Sequence, residues 1–296
     1  DYKTQMKNHF LFGYFFLFCI SSLRGQDRYQ LGVIPQINNE FSLGDRYELN
    51  SKVEIRQLLK DGPSNLTAQK GFHFERSDFE TILKAIDVVK RFKEKQPGVL
   101  GMHLEGPFIN VKKRGAHPAH IIRKPSDKEL QEIIRLGKDV IKIITIAPEI
   151  FTEEQLQMLL DSGMNVSIGH TDVNYTQAQH YFSKGVALDT HLYNAMNQMG
   201  HRECGLVGAI FDNPNVYAPV ILDGGHCHYA AARVAYQQKK DKLILLSDAA
   251  FLGRKKEQFD WENLSIKMTD GFYRDANGNL GGAAISMIDA VKNAIQ

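Results

Sequence analysis

The pattern of apolar and polar positions divides the chain into three regimes. From Met6 it opens with the basic MKN, runs almost wholly apolar over 9–23 (HFLFGYFFLFCISSL) and turns polar at Arg24 beside the small Gly25. A basic start, a short apolar run and a small residue make 1–26 read as a secretory signal, because a stable membrane span needs about 20 apolar residues. Over 27–70 alternation takes over. The stretch 29–57 (YQLGVIPQINNEFSLGDRYELNSKVEIRQ) carries a Leu-Gly-Asp turn and predicts two antiparallel strands, while the polar 58–70 with Gly62-Pro63 reads as a junction.

From 71 to 296 the texture is alternating β and α. Ser77 as N-cap with Glu80 three residues on predicts an amphipathic helix over 77–95, with apolar residues at Phe79, Ile82, Leu83, Ile86, Val88 and Val89. Apolar runs then recur at 99–104, 140–146, 166–168, 186–188, 217–222 and 243–246, separated by helical patterns at 126–136, 152–160, 174–182 and 229–237. Such βαβ alternation means a parallel sheet, either a (β/α)8 barrel or a doubly wound sheet. Polar residues at the strand ends favour the barrel. Glu105, His170, His191, Asp223 with His226, and Asp248 each follow a different run, which is how the C-terminal rim of a barrel gathers a site. A doubly wound sheet concentrates its site at one switch point, and no GxGxxG or Walker sequence is present.

Composition narrows the partners. Lys+Arg 36 against Asp+Glu 34 gives a net charge of +2, and no basic stripe interleaved with aromatics occurs, so nucleic acid is not an expected partner. Cys19, Cys204 and Cys227 are odd in number and lack CxxC spacing, which argues against a disulfide framework and a zinc finger alike.

On the rim, Glu105, His170 and His191 form the carboxylate–two-histidine set that suits catalytic zinc and related divalent ions, with a position left open for water. Asp248 is the candidate proton carrier beside it. His73, His180 and His201 read as surface or loop residues. In His226-Cys227-His228, alternation sends Cys227 to the opposite side, leaving His226 as the functional candidate.

These residues carry a resemblance. GMHLEGPFIN with KRGAH (101–117), IGHT (168–171), THLYNAM (190–196), HRECGLVGAIFD (201–212), LDGGHCH (222–228) and LLSDAA (245–250) together resemble the N-acetylglucosamine-6-phosphate deacetylases of the amidohydrolase superfamily. The likeness runs from about Lys84 to Gln296. It implies a divalent metal, zinc or iron, on Glu105, His170 and His191. Asp248 is implied as the base that takes a proton from the attacking water and then protonates the amine, releasing glucosamine 6-phosphate and acetate. Ala116 and His117 would lie by the acetamide, Asn194 and Ala195 would meet the sugar, and His226 and Arg202 would bind the phosphate. Arg202 would reach the neighbouring site in a homodimer, and Leu280, Gly281 and Gly282 would form a lining loop. The implied compartment is the cytoplasm, against the signal-like 6–25.

The resemblance also sets an expectation of incompleteness. The first barrel strands should precede Lys84, where the signal-like and β-like segments stand instead, His73-Phe74-Glu75 does not replace a His-x-His, and the last helix runs into Gln296. DYKTQ ahead of Met6 adds to the expectation of a truncated or mis-joined product. Two other functions stay open: another metal-dependent amidohydrolase, a deaminase or cyclic amidase, and an inactive remnant.

Overall fold

The computed structural model describes residues 40–42, 48–50, 52–54, 70–75, 79–95, 99–250, 257–261 and 264–295. The chain divides into two compact units, Asp1–Val33 and Ile34–Gln296. The first unit, and with it the signal-like reading of 1–26, lies outside the described residues. Among the described residues no helix is long and apolar enough to cross a membrane.

The expected hairpin forms: β1 (Glu40–Ser42) pairs antiparallel with β2 (Glu48–Asn50). Then β3 (Lys52–Glu54) lies antiparallel at the edge of a sheet whose next member is β4 (Lys70–Glu75). Helix α1 (Phe79–Lys95) follows, burying Ile82, Ala85, Ile86 and Val89 at the spacing the sequence predicted. From there strands and helices alternate: β5 (Val99–Glu105), α2 (Asp127–Gly137), β6 (Ile141–Ile146), α3 (Glu153–Asp161), β7 (Asn165–Ile168), α4 (Tyr175–Ser183) and β8 (Leu188–Asp189). The series goes on through α5 (Gly205–Asp212), β9 (Ala218–Ile221), α6 (Tyr229–Lys239) and β10 (Leu243–Leu246).

The sheet order β3-β4-β5-β6-β7-β8 follows the chain, and β9 pairs parallel with β10. A parallel bridge between Leu188 and Tyr217, with Leu192 N donating to Pro219 O at 2.7 Å, joins β8 to β9. Strands β4 to β10 therefore succeed one another in sequence order with their C-terminal ends on one side, an α/β fold on parallel strands. Its core packs Leu130 and Ile133 of α2, Ile141, Ile144 and Ile146 of β6, Leu156 and Leu159 of α3, and Leu206, Val207 and Ile210 of α5. Each such side chain contributes about 1.5–3 kcal/mol on full burial.

Helix starts follow local chemistry. Ser126, Thr152 and Asn174 cap α2, α3 and α4, each reciprocated by Glu129, Gln155 or Gln177 in a capping box. The structure corrects the sequence reading in several places. One parallel strand, β4, does stand ahead of Lys84, so that region is not wholly without barrel-like strands, and the junction ends inside it at Lys70. His73 accordingly belongs to a strand and not to a loop. Helix α5, short and glycine-containing, gave no clear helical period. After β10 an antiparallel sheet forms from β11 (Gln258–Trp261), β12 (Leu264–Thr269) and β13 (Phe272–Arg274), and α7 (Met287–Ile295) follows. Its tight turn is Asp270-Gly271, with φ of 51° and 85°, the Asp-Gly hairpin signal that the βαβ reading passed over.

Candidate metal centre and active site

The backbone at the strand ends is unusual. His170 after β7, His191 after β8 and Asp248 after β10 have φ of 48°, 44° and 45°, left-handed values that non-glycine residues seldom adopt. Strain of about 1–3 kcal/mol per residue persists only where the surroundings impose it, and it gathers at functional sites. Tyr193 and Ala195 repeat the conformation in the loop after β8, at 78° and 50°.

These turns bring the predicted ligands together. Glu105 Oε1 lies 2.9 Å from His170 Nε2 and 3.7 Å from His191 Nε2, and the two imidazole nitrogens are 3.0 Å apart. All three residues are buried. Ligand atoms about 2.0–2.2 Å from a tetrahedral ion stand roughly 3.4 Å from one another, so this donor set fits a divalent cation in spacing and in chemistry. His117, also buried, points Nε2 at the same oxygen from 3.4 Å, its ring edge-on to that of His170 at 4.8 Å.

The titration of the cluster follows from burial and shared charge. Burial pulls the His170 pKa down, against the opposing Glu105 hydrogen bond. Burial acts the same way on His191, but the Glu105 hydrogen bond and charge, with Asp248 and Asp189 behind them, outweigh it and lift its pKa to about 9. Two Nε2 atoms 3.0 Å apart beside one carboxylate oxygen mark the place a cation would take, since ligand nitrogens must be free of protons to hold one.

Neighbouring loops hold the ligands. The Lys113 carbonyl meets His170 Nδ1 at 2.8 Å, which leaves Nε2 facing the cluster. That loop approaches closely because of Gly115: at φ +55°, any Cβ there would stand 3.2 Å from the His170 ring. Glu149, from the loop after β6, accepts from Asn110 Nδ2, Thr171 Oγ1 and Asp172 N, tying the loops beyond Glu105 and His170 together. Beneath the cluster runs a buried hydroxyl chain. His103 Nε2 meets Thr145 Oγ1 at 2.7 Å, Thr145 meets Thr190 at 2.7 Å, and Thr190 meets Ser167 at 2.5 Å. Sequence reading missed Glu149 and this chain, although strand alternation puts His103 on the same face as Glu105.

The remaining candidates are distributed around this centre. Asp248 is half-buried, and its carbonyl accepts from Ala283 N at 2.7 Å while Ala250 N donates to Ala283 O at 3.0 Å, which pins the stretch just past Leu280, Gly281 and Gly282 beside it. Ala116 is half-buried next to His117. Asn194 turns its amide onto the His191 and Leu192 carbonyls, and the Ala195 carbonyl accepts from Thr171 N. Arg202 is exposed further along that loop. His226 pairs with Asp223, Cys227 is buried and His228 caps α6, so the triplet is not one metal motif. His180, exposed, pairs with Glu153, and His201 is exposed.

Fold and site define a class: an α/β protein on parallel strands with a carboxylate and two histidines gathered at the strand ends for a divalent cation. Its particular likeness is to amino-sugar-phosphate deacetylases. The chain is 34% identical over 222 residues to the N-acetylglucosamine-6-phosphate deacetylase of Haemophilus influenzae, covering 73% of this chain and 58% of that protein. It is 35% identical over 221 residues to the N-acetylgalactosamine-6-phosphate deacetylase of a Shewanella species, covering 73% of this chain and 56% of that one. The crystal structure of N-acetylglucosamine-6-phosphate deacetylase from Pasteurella multocida superposes with a TM-score of 0.71 at 35% identity, over 77% of this chain and 60% of that one. The chain thus spans less than two thirds of the length of these relatives. No protein-family profile matches it.

Proposed function

We propose that this chain carries the catalytic strand ends of a metal-dependent deacetylase that hydrolyses N-acetylglucosamine 6-phosphate to glucosamine 6-phosphate and acetate. The observation that carries the reading is the buried convergence of Glu105, His170 and His191, whose ligand atoms all lie within 4.8 Å of one another. In this reading β4 to β10 form part of a (β/α)8 barrel within 71–296. A divalent cation, zinc or iron, held by these three residues would acidify a water and polarise the acetamide carbonyl.

The chain's own groups do the rest. His117 orients the acetamide oxygen, with Ala116 shaping that side. Asp248 removes the proton from the attacking water and returns it to the departing amine, the dual role a carboxylate serves in general acid–base catalysis. Asn194 and Ala195 hold the sugar, and Leu280, Gly281 and Gly282 wall the site beside Asp248. His226 and Arg202 take the phosphate. The exposure of Arg202 leaves it free to reach the site of a second copy in a homodimer, where its planar fork suits phosphate oxygens. A phosphorylated sugar is retained inside cells, which favours the cytoplasm as the compartment.

Acetate release from N-acetylglucosamine 6-phosphate, compared with the unphosphorylated sugar, tests the reading. Turnover should favour the phosphorylated sugar; equal rates on both would remove the phosphate argument and favour another amidohydrolase. A second reading has its own support: the Shewanella relative acts by name on the galactosamine epimer at comparable identity. N-acetylgalactosamine 6-phosphate therefore belongs in the same assay.

A further inference from the structure

The loop after β9 holds a carboxylate–histidine pair outside the metal cluster. Asp223 Oδ1 accepts from Gly225 N at 2.9 Å and from His226 N at 2.7 Å, and Oδ2 meets His226 Nδ1 at 2.7 Å. The two side chains are only 1% and 6% exposed. Burial alone would raise the Asp223 pKa, but the hydrogen bonds from His226 and the two amides outweigh it and hold the group below the usual carboxylate range. An ionised carboxylate only accepts, so the Nδ1 facing it carries a proton. Nε2 is then the ring atom that can turn to a ligand.

The pair is also held in place. A Cβ at Gly225 would fall 2.3 Å from the Phe272 ring of β13, and one at Gly224 would fall 3.2 Å from Tyr229 at the start of α6. Next to it the Cys227 thiol is buried and pushed up to about 11, so it brings no second negative charge.

Resting on the deacetylase reading, we propose that Asp223 is a positioning residue that orients His226 and shares its proton, so that the ring bridges two anions: the Asp223 carboxylate and the phosphate of the sugar. Asp223 thereby becomes a determinant of phosphorylated over unphosphorylated substrate. Asp223→Asn is a discriminating variant. Its carbonyl still accepts the two backbone amides, but its NH2 faces Nδ1 and cannot accept a hydrogen bond from it, which removes the contact that orients the ring.

The experiment is steady-state kinetics on N-acetylglucosamine 6-phosphate and on N-acetylglucosamine for the metal-loaded full chain, Asp223→Asn, His226→Gln and the double variant, with metal content measured for each. Because charge-assisted hydrogen bonds are roughly twice as strong as neutral ones, Asp223→Asn should raise KM for the phosphorylated sugar about tenfold more than for the unphosphorylated one. Metal content should not change, and the double variant should be no worse than His226→Gln alone. Equal losses on both sugars, or a full Asp223→Asn effect in the His226→Gln background, would overturn the proposal. A wild-type protein that deacetylates neither sugar fails the deacetylase reading instead. The pair is then judged by calorimetry with inorganic phosphate: equal weakening in both single variants supports it, and no binding by wild type, or unchanged binding in the variants, overturns it.

Discussion

His170, His191 and Asp248 share a backbone conformation that their side chains disfavour, and each stands two residues past a strand. Glycine would relax that strain. His191→Gly and His191→Ala are both expected to lose the metal, and relief of strain should leave the metal-free glycine variant about 1 kcal/mol more stable than the alanine variant. Urea unfolding in chelator, set beside metal analysis, reads both. For Asp248→Asn the expectation is retained metal and a kcat lowered by about 10²–10⁴, since an amide cannot accept the proton. Asp223 supplies the pH signature. Its folded pKa lies below the ordinary 3.8, so its contribution to stability is present above that value and disappears as pH falls through the depressed one. The stability difference between wild type and Asp223→Asn should shrink on acidification below about pH 4 in denaturant titrations. At this scale the candidate ligands were legible because each stands at or just past the end of a strand whose apolar run is plain in the sequence. Asp223 stood out only as one more strand-end carboxylate, and Glu149 not at all, because its role arises from two loops that meet only in the fold.

Elements were most legible where local chemistry and periodicity agree. The expected starts at 126, 152 and 174 are the capping residues of α2, α3 and α4, since a capping box is written in three consecutive steps of sequence. Removing one such cap tests the point: Ser126→Ala should cost about 1 kcal/mol in chemical unfolding without touching metal content. The strand β4 was hidden because it follows a polar junction and Phe72 and Phe74 are the large apolar side chains in its KGFHFE run. The β11–β13 sheet was hidden because a βαβ rhythm leads the eye to expect the next helix, although Asp270-Gly271 marks the hairpin.

For the whole molecule, a cation held by Glu105, His170 and His191 would be coupled to the fold. The ligands come from strands distant in sequence, so an unfolded chain has no equivalent site and binding stabilises only the folded form. At a free cation concentration 100 times Kd the gain is about 2.7 kcal/mol. Differential scanning calorimetry should show Tm falling on chelation and recovering on readdition. An unchanged Tm in a protein shown to bind metal would place the cation elsewhere.

The small β11–β13 sheet carries a consequence of another kind. Phe272 on its last strand backs the Gly225 turn, and the stretch that leaves it runs through Leu280 to pair beside Asp248. The stretch beside Asp248 thus comes from a part of the chain separate from the strands that end at the candidate ligands, so substitutions in the small sheet would alter the surroundings of Asp248 and of the Gly225 turn while leaving those strand ends in place.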